Sequence, residues 1–167
     1  MMINYSPIGV IHTPFSEPKG TPVQSVAAKD ILGTVEIYSD YVEGLKDIGG
    51  FSHLILVYHF HLVKQSGLLV KPFLGDDLHG IFATRSPGRP NLIGLSVVRL
   101  TGVAGNLLYI QDVDIVDKTP LLDIKPYIGE FDARQVEKIG WFAQNLHKLS
   151  VTKDDGRFST QKGNKSR

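Results

Sequence analysis

The 167-residue sequence predicts a mainly β, predominantly antiparallel fold of barrel or sandwich type with a C-terminal α-helix. Two observations lead there. Short β-branched and aromatic segments recur between Gly, Pro and Asn turn signals, with no long helices alternating between them, which argues against a doubly wound Rossmann sheet. Only near the end do apolar residues recur at steps of three or four.

In chain order, Ile8, Val10 and Ile11 open the body as a short strand. Residues 12–24, rich in Pro, Gly, Ser and Thr, read as a long exposed loop, a kind that is often functional. Val35 and Ile37 mark a strand over 33–38, and residues 41–48 form a helical turn before Gly49-Gly50 breaks the chain. Residues 51–61 are the most apolar stretch, and their composition favours a buried strand over a helix. Further strands are expected over 80–84, 94–101 and 107–115. A helix is expected over 132–149, where Val136, Ile139, Phe142, Leu146 and Leu149 make one apolar stripe and Asp132 with Gln135 fits a capping box. The organisation is one domain over 1–149 followed by a basic, flexible tail over 150–167.

Hydrophobic residues make up 42% of the chain, enough for one real core, and there is no cysteine, so disulfides, thiolate metal sites and thiol nucleophiles are excluded. No apolar run matches a bilayer and the N-terminus lacks a secretory pattern, so a cytoplasmic protein is expected. The net charge of +1 is unevenly placed: residues 148–167 carry +4 and the other 147 carry −3. A basic end can contact phosphates or simply keep the chain soluble.

Three clusters can carry chemistry. Residues 80–91 place Arg85 and Arg89 in a stretch stiffened by Pro87 and Pro90. Proline restrains its own φ and the preceding residue, so such a loop loses little entropy on binding. The guanidinium forks suit carboxylate or phosphate, and Asn91 adds a donor and an acceptor; pairing with acids of the same fold is the alternative. Residues 112–127 gather Asp112, Asp114, Asp117, Asp123, Lys125 and Tyr127 around Thr119-Pro120, and suit a pocket lip or a charged strand edge. On a strand, Asp112 and Asp114 would share a face. His53, His59 and His61 would likewise share one. No third ligand follows His59 and His61 at motif spacing, so no metal is expected.

These segments resemble the TsaA-like proteins, whose best-understood members are tRNA methyltransferases of the TrmO type. The resemblance covers about three-quarters of the chain and runs through Ser6-Pro-Ile-Gly-Val-Ile-His-Thr-Pro-Phe15, Gly50-Phe-Ser-His-Leu54, Phe60-His61, Phe82-Ala-Thr-Arg-Ser-Pro87 with Arg89-Pro-Asn91 and Ile93-Gly-Leu-Ser96, then Thr119-Pro120 to Asp123-Ile-Lys-Pro-Tyr127. It implies a non-Rossmann antiparallel β-barrel, a homodimer, S-adenosylmethionine as cofactor, and N6-methylation of a threonylcarbamoyl-modified adenosine beside the tRNA anticodon. It implies cofactor contacts at Pro22, Val23, Gln24, Phe60, His61, Arg85, Leu95, Asp117, Lys118, Thr119 and Pro120. The reaction needs an acceptor near the amine, for which Asp117, Asp123 and the carbonyls beside Pro120 and Pro126 are candidates, with Lys125 and Tyr127 positioning the carboxylates or the modified base. Arg89 and Asn91 are the candidate substrate contacts. Another nucleobase or a small molecule as methyl acceptor, or binding without turnover, are the alternatives. The chain departs from the family where Val23 and Lys118 replace the usual Arg and Gly, and in lacking a sizeable C-terminal region.

Overall fold

A computed structural model describes residues 2–159. Six strands close into one antiparallel barrel: β1 (Gly9–His12), β2 (Leu32–Ile37), β3 (His53–His59), β6 (Ile93–Ala104), β7 (Leu107–Gln111) and β8 (Thr119–Pro126). Around it they run β1-β2-β7-β6-β3-β8, and β8 returns to β1 through Gly9↔Leu121 and Ile11↔Thr119. Two short strands, β4 (Leu69–Val70) and β5 (His79–Gly80), pair with each other outside the barrel.

Strand alternation decides what is inside. In β3, Leu54, Leu56 and Tyr58 point into the core while His53 and His59 face outward. They meet Ile11, Val35, Ile37, Val98, Ile110 and Leu121 from the other strands. One barrel end is capped by the turns Ser39–Leu45 and Ile48–Gly50, whose Val42, Leu45 and Ile48 pack on the core. The other end is where β1, β3 and β7 finish and β2, β6 and β8 begin. It is covered by the loop over 13–24, the connection over 60–92 and the turn over 112–118.

Three expected elements differ. No helix spans 132–149: the chain makes α1 (Gly129–Asp132), then 3-10 turns at Gly140–Gln144 and Leu146–Lys148. Gly140 takes φ +58, which stops a helix, and Val136 and Leu146 are left 66% and 47% exposed. The strand expected over 80–84 shrinks to the end of β5 plus a 3-10 turn at Ile81–Ala83. The strand expected over 107–115 ends at Gln111, because Asp112 turns the chain at φ +67, so Asp112 and Asp114 share no strand face.

Past residue 149 the chain pairs with the loop that follows β1. Lys153 bridges to Pro22, Gly20 N–H donates to the Asp154 carbonyl at 2.7 Å and Asp154 N–H to that of Thr21 at 2.9 Å. Further on, Lys64 N–H donates to the Phe158 carbonyl at 3.0 Å. The remainder of the basic tail, residues 160–167, lies outside the described residues.

Candidate functional site

A cleft of about 420 Å³ opens at the barrel end formed by the starts of β6 and β8 and the end of β3. That size lies within the roughly 300–1,000 Å³ usual for small-molecule sites. Its floor is a hydrogen-bonded chain of three residues. Ser96 Oγ donates to Asp114 Oδ1 at 2.7 Å, so the Tyr58 hydroxyl, 3.0 Å away, donates to Ser96. Tyr58 lies opposite Gly94 in the β3–β6 pair, where a Cβ would stand 2.2 Å from the tyrosine ring; only glycine lets that ring lie flat across the strand.

Burial pushes the Asp114 carboxyl up to about 6, against the pull of Ser96 and the nearby charge of Arg85. Burial, with the Asp114 charge adding to it, also raises the Tyr58 hydroxyl well above its ordinary value. Asp114 borders the cleft, with Oδ1 held by Ser96.

The arginine segment forms the facing wall. Arg85 Nη1 donates to Gln24 Oε1 at 2.9 Å, tying this segment to the long loop after β1. Arg89 turns inward: its Nη1 donates to the carbonyls of Thr84 at 2.8 Å, Ile81 at 3.3 Å and Ser86 at 3.4 Å. One guanidinium thus gathers the carbonyls around Arg85 and sets the shape of the turn that presents it.

On the third side, Thr119 Oγ1 donates to the Val116 carbonyl at 2.6 Å, leaving only its lone pairs for His61 Nδ1 at 3.4 Å. His61 therefore carries its proton on Nδ1 and a lone pair on Nε2. Burial, aided by His59, lowers its pKa and favours that neutral form. At the rim, Asp117 Oδ1 accepts from Thr13 N–H at 3.1 Å and lies 3.6 Å from His12 Nδ1. Lys118 takes φ +62, a left-handed conformation that suits the glycine usual in the resembling family.

Of the residues singled out from the sequence, Pro22, Val23, Gln24, Phe60, His61, Arg85, Arg89, Leu95 and Thr119 line the cleft. Asp117, Lys118 and Pro120 flank Thr119 without lining it, and Asn91 also stays outside. Asp123 and Lys125 make an ion pair of 2.7 Å farther along β8. Asp123 borders a separate hollow at the opposite barrel end, and Tyr127 packs edge-on against His53. Among the described residues, no group of three or more His, Asp or Glu is arranged to hold a metal ion.

Tyr58, Trp141 and Phe158 line the cleft without having been singled out, while Asp114 and Phe142, which also line it, were expected on a strand face beside Asp112 and in a helical stripe. For Asp114 the signal was present. An acid between Val113 and Ile115, both buried, is carried inward with its neighbours.

Comparison with known proteins follows the same lines. The family described as the tRNA-methyltransferase O N-terminal domain matches residues 10–133. A protein of Pyrococcus abyssi named a probable S-adenosyl-L-methionine-binding protein is 61% identical over 158 residues, 95% of this chain and 86% of that one. The human tRNA (adenine(37)-N6)-methyltransferase is 36% identical over 138 residues, 77% of this chain but 31% of the human protein. The crystal structure of TrmO from Pseudomonas aeruginosa superposes with a TM-score of 0.71 at 36% identity, covering 84% of this chain and 62% of that one. The chain thus spans under a third of the human relative and under two thirds of the bacterial one.

Proposed function

Because the chain belongs to the tRNA-methyltransferase O N-terminal-domain family, we propose that its cleft binds S-adenosylmethionine and directs methyl transfer to N6 of a threonylcarbamoyl-modified adenosine beside the tRNA anticodon. The observation that carries the reading is a desolvated carboxylate, Asp114, in the same cleft as the tethered guanidinium of Arg85.

The residues fit the cofactor. S-adenosylmethionine joins a flat purine and a ribose to a sulfonium and a charged amino acid. The cleft supplies apolar and aromatic walls in Phe60, Leu95 and Phe142, a guanidinium suited to a carboxylate, and a carboxylate suited to a cation. When bound, the cofactor contributes an electrophilic methyl group.

The protein's own groups do the rest. Arg85, with Gln24 and the Pro22–Val23 loop, holds the amino-acid end. Thr119 and His61 Nε2 offer hydrogen-bond capacity to the sugar or the base. An amine conjugated to a purine is a weak nucleophile, so it must be held in line and kept from water, which the walls of Phe60 and Leu95 favour. The Asp114 carboxylate takes the amine proton, and a carboxyl raised toward 6 is a stronger base than an ordinary aspartate. Ser96 and Tyr58 hold that carboxylate in place. Asp117 keeps the rim turn shaped around Thr119 by accepting from Thr13 N–H and donating its own N–H to the Phe15 carbonyl. Asp123, Lys125, Tyr127 and Asn91 take no part in this reading. A homodimer and a cytoplasmic location complete it, the former checked by light scattering.

The deciding experiment incubates purified protein with methyl-labelled cofactor and total tRNA from a strain lacking the homologue, followed by nucleoside mass analysis. Label on N6 of the threonylcarbamoyl nucleoside is expected. Label on another nucleoside moves the substrate assignment, and cofactor binding without label removes the enzyme reading. Absence of thermal stabilisation at large cofactor excess sinks the whole proposal.

A further inference from the structure

The matched family region ends at residue 133, yet residues beyond it build part of the cleft wall. Three rings from two distant segments meet there. His79 and Trp141 stack with centroids 4.5 Å apart and planes 16° from parallel; Trp141 and Phe142 stack at 4.0 Å and 27°. Two rings so close and so nearly parallel cannot share one face of a third, so Trp141 sits between them. Its indole N–H donates to the Ala83 carbonyl at 2.8 Å, and its edge lies 3.4 Å from where a Cβ on Gly75 would stand. The central ring is therefore fixed from its faces and its edge.

Trp141 and Phe142 line the cleft and His79 does not, so Phe142 ends the pile on the cleft side. Phe142 is only half-buried, and a rigidly backed ring at a cavity wall is completed by another flat ring stacked on it. The cavity it borders also holds Arg85 and Asp114, polar groups that suit a nucleoside better than a plain hydrocarbon.

We propose that Phe142, backed by Trp141 and His79, is the stacking platform for the purine of an adenosine bound in the cleft. This rests on the methyltransferase reading, which brings two adenosines to the site: the cofactor's and the target nucleoside. Base-on-aromatic stacking lowers affinity by roughly 5- to 150-fold when the ring is removed.

The test uses the whole chain and its sole tryptophan, Trp141, as the reporter. Binding is followed by calorimetry and by Trp141 emission with four probes: 5′-methylthioadenosine, S-adenosylhomocysteine, methionine and an anticodon stem-loop. Phe142→Leu keeps an apolar side chain without a ring, and Phe142→Tyr restores the ring. If the platform holds the cofactor's purine, Phe142→Leu weakens 5′-methylthioadenosine and S-adenosylhomocysteine by the same factor, Phe142→Tyr recovers both, and methionine is unaffected. If it holds the target, the stem-loop alone weakens. Unchanged affinity for every purine probe in Phe142→Leu, with Trp141 emission unmoved by them in the wild type, overturns the proposal. Should Phe142→Leu melt early, loss of affinity in folded Phe142→Tyr would overturn it as well. A wild type that binds 5′-methylthioadenosine at this wall but transfers no methyl group would instead refute the enzyme reading alone.

Discussion

Replacing Arg89 by alanine separates an architectural arginine from one that contacts substrate. In the structure its Nη1 serves three carbonyls, with one short bond to Thr84 and longer ones to Ile81 and Ser86. The Ile81 carbonyl keeps two other donors, Thr84 N–H and Thr84 Oγ1, so it is not orphaned. The Thr84 and Ser86 carbonyls, on buried residues, lose the partner described for them. A hydrogen bond to a charged donor contributes about 1.5–3 kcal/mol, and the strong Thr84 bond carries most of it here, so a loss of about 2 kcal/mol is expected. For a chain of this length that is roughly a 4–8 °C fall in Tm, read by calorimetry or circular dichroism. Arg85 lies between the two released carbonyls, so affinity for S-adenosylmethionine falls with stability. Arg89→Lys recovers little, since an ammonium lacks the planar fork. An unchanged Tm together with weakened tRNA binding would refute the reasoning and make Arg89 an RNA contact.

Other perturbations test neighbouring parts. Gly94→Ala drives a Cβ into a ring that its hydroxyl bond to Ser96 prevents from swinging away; a loss of about 1–3 kcal/mol and weaker cofactor binding are expected in melts and titrations, and a neutral result would show that the ring can shift. Lys118→Gly relieves a left-handed backbone and should raise stability by on the order of 0.5 kcal/mol after the glycine's extra unfolded-state entropy, measured by chemical denaturation. Burial raises both Asp114 and Asp154 from 3.8 to about 6, so the fold holds their protons more tightly than the unfolded chain does. Their contribution is full below about pH 4 and is lost as pH rises through about 6. The stability difference between wild type and Asp114→Asn should therefore shift against the wild type across that window, and a shift in its favour would refute the assignment.

Strand positions were legible where alternation was local. Val35 and Ile37 mark a strand without help from the rest of the chain, and the apolar, β-branched run over 51–61 marks another, both of which pack in the core. The long Pro- and Gly-rich loop after β1 was legible too, and Pro22 to Gln24 do line the cleft. What misled was periodicity without its tertiary condition. Val136 and Leu146 keep helical spacing, but Gly140 reverses the backbone and Trp141 is drawn away to Ala83. Alternation pairs Asp114 with Asp112 on one face, whereas its place at the cleft floor depends on Asp112 turning the chain. The pile of His79, Trp141 and Phe142 joins segments that nothing in their spacing connects.

Closure of the barrel by β1 and β8 sets the order in which this molecule can acquire its activity. Ile11 must find Thr119 across roughly a hundred residues of chain, a pairing of high contact order that forms slowly and late. Thr119 and His61 meet only once β8 is in place, and residues 153–158 pack on the loop that follows β1. β1 pairs with β2 over a short stretch of chain, so without β8 the remaining strands make an open sheet, β1-β2-β7-β6-β3, whose outer strands β1 and β3 each lack one partner. The cleft is consequently a late product of folding, and a ligand that binds it acts on the finished barrel rather than on the open sheet that precedes it.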